Sequence, residues 1–388
     1  FRLRELLVLT QFAVAVIVIS CTLIMAMQMR YVSQKPLGFE KHNRVIILLR
    51  GMDLIEKYPV LKNELLKDSR ITGVSISQGV VGMEQFSILN SLADSESGPP
   101  GRIILSNMSV GEDFPEVMGM KLVSGRSFSK KLLTDIGTTL LVNEALVKNR
   151  GWKNPLGKQI KLGSNYINGK VIGVVKDFHA KSFHSPVEPF VFYQFNDDFQ
   201  NIPAAVRPAM QRSCVVSIAG KDVPQTLKFI QDKFAQYDPK HPFEYKFLDA
   251  MLDEMYLPEE RLMKMIGAFS GICIFIACMG LYGLAAFTTE QRSKEIGIRK
   301  ALGASASQII VMLSRNILFF VLAGAVVASI IAYYAIEEWL AGFAYRTGIN
   351  PLVFVVSAIV VLLVAFITMA LQSYRTAQAN PALMMRYE

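Results

Sequence analysis

TTEQRSKEIGIRKALGASASQIIVMLSRN, from Thr288 to Asn316, is the stretch that decides the fold of this chain. It is rich in charge and contains two glycines, and a long apolar segment lies on either side of it. Charged side chains are costly inside a bilayer, whereas about 20 consecutive apolar residues suffice to cross one. The stretch is therefore predicted to be a connection at a membrane face between two spanning helices.

Four segments of the chain, two before this connection and two after it, are apolar and long enough to cross a membrane. A bilayer core of about 30 Å needs roughly 20 helical residues. Their uninterrupted apolarity excludes the alternating pattern of a barrel strand, so each segment is predicted to be a helix. The segments lie between Glu5 and Arg30, between Lys264 and Glu290, from Asn316 to Ile336 and from Pro351 to Leu371.

The composition requires a polar domain beside these helices. Hydrophobic residues make up 52% of the chain, yet charged residues still make up 19%. The predicted fold is an α-helical membrane protein with four transmembrane helices and a large α+β extracytoplasmic domain inserted between helices 1 and 2. The predicted parts are residues 1–35 (first helix and stalk), 36–257 (extracytoplasmic domain) and 258–388 (three further helices, the connection at 290–315 and a tail).

The basic residues beside the spans predict the orientation of the chain. The loop 337–350 holds two acidic residues and a single basic one, Arg346. By the positive-inside rule, both termini and the loop 290–315 are cytoplasmic, and residues 36–257 lie outside. The net charge of +9 is explained in the same way, so the expected partner is the lipid bilayer and not nucleic acid. The basic residues concerned are Arg2, Arg4, Arg292, Lys294, Arg299, Lys300, Arg315, Arg375 and Arg386.

The outer domain reads as a mixture of strands and helices. Short runs rich in β-branched residues predict strands. Ser75 and Ser77 are interpreted as solvent-facing residues of one of these strands. Helices are predicted over 58–67, 143–150 and 223–237. The predicted strands are 43–49, 71–77, 102–110, 138–142, 158–162, 170–175, 189–195, 213–220 and 243–248.

Two helices are predicted to extend beyond the bilayer. Pro258 suits a first helical turn, and no breaker follows it until Thr289. Such a helix would be about 48 Å long, against a bilayer core of about 30 Å. The first span can likewise continue to about Gln34, before Pro36. Two stalks would suit mechanical coupling, and a tilted helix with a frayed end is the alternative.

No catalytic, cofactor or metal site is predicted on the chain. The run from Gly151 to Lys158 resembles a phosphate-binding loop, but it has one residue too many between its glycines. His179 and His184, with Asp177 nearby, are the one constellation that could ligate a metal. Their spacing puts the histidines together on neither a helix nor a strand face, so a structural loop is the preferred interpretation.

Gly267 and Gly271 form a GxxxG pattern in the second span. Glycines at this spacing permit the close approach of another helix, so we interpret the pair as a helix-packing site and a candidate contact with a second permease half or copy. Local packing without any such partner is the alternative.

The connection 290–315 is predicted to be bent. Gly303 can end a short helix in the left-handed conformation, and Ser305 with Gln308 matches a capping box that starts the next helix. Ile298, Leu302, Ile309 and Leu313 would share one face only if the helix were continuous. The prediction is a short helix, a bend at 302–304 and a second helix leading into the third span.

The quoted residues resemble a known family. LAAFTTEQRSKEIGIRKALGAS and the ending ANPALMMRYE are similar to the FtsX/MacB type of ABC transporter permease. The opening FRLRELLVLTQF resembles the start of the second half of the long two-repeat members, and residue 1 is Phe, so the native chain is expected to begin earlier.

The resemblance implies a function and a set of partners. It implies a permease subunit in a bacterial inner membrane, with a MacB-like periplasmic core domain and with ATP and Mg²⁺ bound by a separate cytoplasmic ABC ATPase. It also implies a second permease half or copy and admits a periplasmic or outer-membrane partner. ATP-driven movement of the outer domain, in efflux or envelope export, is the implied mechanism, and a non-exporting sensor of cell-envelope enzymes is the alternative. The coupling motif implied for the ATPase falls on Glu290, Arg292, Lys294, Glu295, Ile296, Gly297, Arg299, Lys300, Ala301, Leu302, Gly303 and Ala304.

Overall fold

A computed structural model describes residues 3–50, 52–129, 132, 135, 137–163, 167–194 and 211–377. The described part divides into two compact units: one is Lys35–Tyr256, and the other is formed by the chain on either side of it. The helices are α1 (Leu3–Gln34), α2 (Met52–Leu65), α3 (Phe114–Val117), α4 (Glu144–Arg150), α5 (Val223–Tyr237), α6 (Leu248–Glu254), α7 (Leu257–Gln291), α8 (Ser293–Ala301), α9 (Ala306–Ala341) and α10 (Leu352–Ala377).

All described strands belong to the unit Lys35–Tyr256. They join a single mixed sheet that is largely antiparallel. The strands are β1 (Arg44–Arg50), β2 (Ile71–Ser77), β3 (Ser87–Ala93), β4 (Gly101–Val110), β5 (Leu122–Gly125), β6 (Thr139–Asn143), β7 (Gln159–Leu162), β8 (Ile167–Val175), β9 (Phe190–Gln194), β10 (Gln211–Ile218) and β11 (Tyr245–Phe247).

Four helices of the second unit are long and apolar enough to cross a membrane, which confirms the predicted fold class. The apolar segments are Leu6–Gln34, Leu257–Gln291, Ile317–Ala341 and Leu352–Tyr374. Helix α7 has 35 residues, so at about 1.5 Å per residue it is roughly 52 Å long.

Small residues let α1 pack closely within this bundle. It contacts α7, α9 and α10, and the shared core is rich in alanine. A Cβ added at Gly280 of α7 would lie 2.5 Å from Gln11 Oε1, and one added at Gly324 of α9 would lie 3.2 Å from Leu9 Cγ. Both glycines therefore permit a helix approach that a larger residue would obstruct.

Gln28 fastens the loop between α9 and α10 to α1. Its side chain is fully buried. Its Nε2 donates to the Tyr345 carbonyl at 2.9 Å, and its Oε1 accepts from the Thr347 amide at 2.8 Å. Because an unpaired peptide group is costly away from water, these bonds fix the loop on the first helix.

The other unit is built on two connected groups of strands. Strands β11, β1, β10 and β2 follow one another in the sheet, and β2 continues into β4. Beyond this point the pairings form a closed circuit, β4-β3-β7-β8-β6-β9, because β9 pairs in parallel with β4. Strand β9 is buried on both faces, with Phe190 and Phe192 in one core and Val191 and Tyr193 in another.

The interpretation of Ser75 and Ser77 as solvent-facing residues is wrong. Both side chains are buried, and Ser77 Oγ donates to the Gly79 carbonyl at 2.6 Å. Strand β2 packs Val74 and Ile76 into the core beneath α2 and α5, while α3 contacts the strand as well. The alternating polar pattern therefore marks a second covered face and not a face exposed to water.

Several elements differ from the prediction. Helix α2 starts earlier than predicted and runs through Pro59, because Leu54, Ile55, Leu61 and Leu65 all join one core. The predicted strand 243–248 is a strand only at Tyr245–Phe247, after which α6 begins. Strands β3 and β5 and helices α3 and α6 were not predicted, and residues 195–210, where the strand 189–195 was predicted to end, lie outside the described residues.

Candidate functional site

The connection between α7 and α9, residues 290–315, is here called the elbow. The family resemblance implies that an ATPase couples to it. Helix α7 passes into α8 with little interruption. The Arg292 amide donates to the Thr288 carbonyl at 3.2 Å, and the Ile296 amide donates to the Arg292 carbonyl at 2.9 Å. Helical hydrogen bonds thus link the end of the span to the short helix that follows it.

A left-handed glycine ends α8, as predicted. Gly303 has φ of +90°, and a Cβ added there would meet no atom within 4 Å. The Leu302 amide donates to the Ile298 carbonyl at 3.0 Å, and the Ala304 amide donates to the Arg299 carbonyl at 2.9 Å. A bond that returns to the fifth preceding residue over a left-handed glycine is the Schellman helix ending. The bend is therefore set by backbone geometry.

The predicted capping box starts α9. The Gln308 amide donates to Ser305 Oγ at 3.3 Å, and the Ser305 amide donates to Gln308 Oε1 at 3.0 Å. Both exchanged bonds satisfy amides that a helix start would otherwise leave unpaired. The two helices meeting at the bend thus have defined ends, and little backbone freedom remains between them.

The bend divides the apolar side chains of the elbow into an inner and an outer group. Ile296 of α8 packs with Ile309 and Leu313 of α9, and all three are buried. Ile298 and Leu302 face away from this core, with 55% and 82% of their surfaces exposed. Residues two apart on a helix are turned by about 200°, which is why Ile296 and Ile298 lie on opposite sides. The sequence analysis did not predict Ile296 as an inner contact, and helical spacing is the signal that could have separated it from Ile298.

Charged side chains flank the exposed apolar pair. Arg299 forms an ion pair with Glu295 at 2.9 Å, one helical turn apart. Both side chains are roughly half exposed, so the pair contributes about 0.3–0.5 kcal/mol at most. Glu290 and Lys294 are exposed, whereas Gly297 is buried. Helix α8 includes Lys300 and Ala301, whose side chains lie outside the described part of the structure.

An open cleft of about 580 Å³ lies within the elbow. It brings together Arg292, Arg299 and Arg315, which are far apart in sequence. In the sequence analysis all three are basic residues beside the spans, and Arg292 and Arg299 also belong to the implied coupling motif. Their convergence could not be read from spacing, because the bend returns the chain on itself between the second and the third arginine.

The two glycines of the GxxxG pattern occupy different surroundings. A Cβ added at Gly267 would lie 3.8 Å from Thr22 Cγ2 of α1. One added at Gly271 would meet nothing within 4 Å, and Phe275, one turn further on, is 65% exposed. Contact with a second helix bundle at Gly271 stays a prediction.

The histidine constellation forms part of the loop that follows β8. His179 is 7% exposed, and its ring centroid lies 4.3 Å from that of Phe183. Burial, together with the nearby charge of Lys35, lowers the pKa of His179 to about 4. His184 is exposed. Within the described ranges, no group of three or more His, Cys, Asp or Glu side chains is placed to hold a metal ion.

Asp177 contributes to the start of α4. Its Oδ1 accepts from the Ala145 amide at 2.7 Å. Burial raises the pKa of Asp177, the Ala145 amide opposes this shift, and the nearby charge of Glu144 adds to it. These contacts give the carboxyl a structural task in the fold.

The phosphate-loop resemblance is not supported by the geometry. Gly151 ends α4 in a left-handed conformation, so the run follows a helix C-terminus. Phosphate loops precede a helix N-terminus, where free amides point at the anion. Lys158 forms an ion pair with Glu96 at 3.3 Å.

Two family models match the chain. The MacB-like periplasmic core domain matches residues 7–229, and the FtsX-like permease C-terminal domain matches residues 267–381. The first match ends within α5, and the second begins inside α7 and includes the whole elbow.

Known proteins with similar sequences are bacterial ABC transporter permeases. The uncharacterized ABC transporter permease YknZ of Bacillus subtilis (strain 168) is 23% identical over 295 residues, covering 72% of this chain and 69% of the relative. The macrolide export ATP-binding/permease protein MacB of Chlorobium phaeobacteroides is 25% identical over 323 residues, covering 74% of this chain and 46% of the relative. The chain thus matches less than half the length of that MacB protein.

A solved structure also resembles the chain. The periplasmic region of MacB from Actinobacillus actinomycetemcomitans aligns with a TM-score of 0.39 at 18% identity, covering 58% of this chain and 98% of that region.

Proposed function

The chain belongs to the family of FtsX-like permeases that carry a MacB-like periplasmic core domain, and from this premise we propose that it transmits the work of a separate cytoplasmic ABC ATPase. The ATPase would bind ATP and Mg²⁺ and dock on the elbow. The family models match permease and core-domain sequence, and membership of an ABC permease family supports an ATPase partner.

The observation that carries this proposal is the outer face of α8. Ile298 and Leu302 stand one helical turn apart, and Leu302 is 82% exposed. Exposing two neighbouring apolar side chains to water is unfavourable in free energy, and a partner that covers them removes this cost. A soluble protein with an apolar groove and charges complementary to Arg299 and Glu295 fits this face.

The construction of the elbow supports mechanical transmission. The inner core of Ile296, Ile309 and Leu313, the Schellman ending and the capping box hold α8 to the start of α9. Helical hydrogen bonds hold α8 to α7. A force applied to the outer face would therefore move two spans together, and α7 leads along the chain to the core domain. We propose that this motion drives efflux or envelope export.

The proposed orientation follows from charge. Basic residues near the spans favour a cytoplasmic elbow and cytoplasmic termini, with residues 36–257 outside a bacterial inner membrane. In that arrangement the elbow faces the compartment that supplies ATP.

Co-purification tests the proposal. The full chain would be affinity-purified from its native membrane in mild detergent, and the ATPase activity recovered with it would be measured. We expect Ile298→Asp with Leu302→Asp to reduce that activity by about tenfold or more, because burying one leucine contributes roughly 1.5–3 kcal/mol. Leu302→Met keeps an apolar side chain and is the matched control, expected to retain the ATPase.

A doubly substituted chain that elutes as the native species and still recovers the full ATPase activity would exclude docking at this face. Transport of cargo by membranes carrying the wild-type chain, compared with membranes in which the ATPase is inactive, separates export from signalling.

A further inference from the structure

The cleft within the elbow collects more positive charge than the elbow neutralises. Arg292 follows α7, Arg299 lies in α8 and Arg315 lies in α9, and all three line the same space of about 580 Å³. Among the described residues of the lining, Glu295 is the one that is acidic, and it is paired with Arg299 at 2.9 Å. In the described part of the chain, neither Arg292 nor Arg315 has an ion-pair partner.

Their positions in the chain assign Arg292 and Arg315 to the depth of lipid headgroups. Arg292 directly follows the apolar helix that ends at Gln291, and Arg315 comes just before the third apolar segment, which begins at Ile317. Guanidinium groups at the ends of two neighbouring spans are level with the boundary between hydrocarbon and water. Arginine also matches the geometry of a phosphate, to which it can donate two parallel hydrogen bonds.

An apolar crevice adjoins the charged cleft. Arg292 lines both spaces. The crevice, of about 100 Å³, lies between three helices, and Thr288 and Arg292 contribute its polar side chains. Its other described lining residues are apolar: Val8, Leu9, Leu284, Leu313, Ile317, Phe320 and Val321. Arg292 therefore lies between a cleft lined mainly by charged and polar side chains and a crevice lined mainly by apolar side chains, a combination that suits an amphiphilic ligand.

We propose that the elbow binds one anionic glycerophospholipid. Its phosphate lies between Arg292 and Arg315, and the first part of an acyl chain enters the apolar crevice. An acidic segment of a soluble partner would account for the arginines but would leave the crevice, at hydrocarbon depth, without an occupant. This lipid site does not depend on ATPase docking, since the exposed apolar face of α8 is not part of either space.

The test uses the delipidated full chain in detergent, without an ATPase. Phosphatidylglycerol and phosphatidylcholine with the same acyl chains would be titrated, and bound lipid counted by native mass spectrometry. Inorganic phosphate would be added as a competitor. The substitutions are Arg292→Gln with Arg315→Gln, and Arg292→Lys with Arg315→Lys. The matched control is Arg30→Gln with Arg346→Gln, which removes two exposed arginines elsewhere in the same unit.

The expected result is one tightly bound phosphatidylglycerol, with affinity at least tenfold above that for phosphatidylcholine. Removing two cations should weaken it by about thirtyfold, given roughly 1 kcal/mol for each basic residue at a membrane surface. The lysine pair and the control pair should keep it. Equal affinity for both lipids, unchanged binding by the glutamine pair, or displacement by inorganic phosphate at the lipid's own concentration would each overturn the proposal. The Arg292→Gln, Arg315→Gln variant must elute like the wild-type chain, which shows that its loss of lipid binding is not caused by unfolding.

Discussion

His179 is a buried side chain that makes the stability of the core domain depend on pH. Its pKa of about 4 lies below the ordinary value of 6.5, because burial disfavours the charged imidazolium. The folded state thus favours the neutral ring. Above pH 6.5 the ring is neutral in both the folded and the unfolded chain, so the unfolding free energy has its full value. As the pH falls from 6.5 toward 4, the unfolded chain takes up a proton that the folded chain does not, and the unfolding free energy decreases.

We predict that His179→Gln removes part of this pH dependence. The wild-type domain should lose up to about 3 kcal/mol of unfolding free energy between pH 6.5 and 4, and the variant should lose less. The measurement is urea unfolding of the full chain, followed by the fluorescence of Trp152 with Trp339 replaced by Phe.

His184→Gln is the matched control, since His184 is exposed in the same loop. Its unfolding free energy should depend on pH as steeply as that of the wild type. Asp177 contributes with the opposite sign, because its raised pKa favours the protonated carboxyl at low pH, and it is unchanged in both variants. Identical slopes for wild type and His179→Gln would show that the imidazole is not the group responsible.

At the scale of elements, the bend of the elbow depends on one backbone conformation. Gly303 has φ of +90° and empty space where a Cβ would lie, so a side chain there costs backbone energy alone. We predict that Gly303→Ala loosens the ending of α8 by about 1–2 kcal/mol. Hydrogen exchange at the Leu302 and Ala304 amides should accelerate roughly tenfold.

Gly283→Ala serves as the comparison for this change. A Cβ at Gly283 also meets nothing within 4 Å, but the residue is inside helix α7 with no left-handed backbone. Alanine should stabilise that position slightly, by about 0.5–1 kcal/mol. Unchanged exchange at Leu302 and Ala304 in Gly303→Ala would mean that the left-handed ending does not hold the bend.

The elements that could be predicted are those with a strong local signal. The spans were predicted from their length and apolarity. Gly303 predicted the bend, and Ser305 with Gln308 predicted the start of the next helix. Strand β3 was missed because its sequence, SILNSLA, mixes polar and apolar residues and owes its conformation to seven residue pairs with β4. Helix α2 was started too late because Pro59 looks like a helix start, whereas packing of Leu54 and Ile55 extends the helix before it.

The backbone of the elbow was predicted from the sequence, but the arrangement of its side chains was not. Local spacing shows where the chain turns, but which side chains become neighbours after the turn depends on tertiary structure. The burial of Ile296 against Ile309, and the meeting of Arg292 with Arg315, arise only once α8 and α9 pack together. For the same reason the buried faces of β2 could not be distinguished from exposed ones.

At the scale of the whole molecule, the chain combines a helical unit with few polar groups in its spans and a core domain built on one mixed sheet. Within the described segments no group of three or more potential ligands is placed to hold a metal ion. The Cys214 thiol of the core domain is buried away from solvent, and this burial raises its pKa to about 12.

The proposed orientation makes a prediction for the whole chain. In a variant with its four cysteines replaced by alanine, single cysteines would be placed at Ser97, in an exposed loop of the core domain, and at Lys294, exposed in the elbow. A small charged maleimide that does not cross the inner membrane should label Ser97→Cys in intact cells and leave Lys294→Cys unlabelled, because basic residues hold the elbow inside.

Both cysteines should react once the membranes are disrupted, which shows that each site is accessible in the folded protein. Labelling of Lys294→Cys from outside, with Ser97→Cys protected, would reverse the orientation. The elbow would then face a compartment without an ATPase, so ATPase docking would fail. The lipid site would survive this result, since headgroups with the same phosphate chemistry lie at both faces of a bilayer.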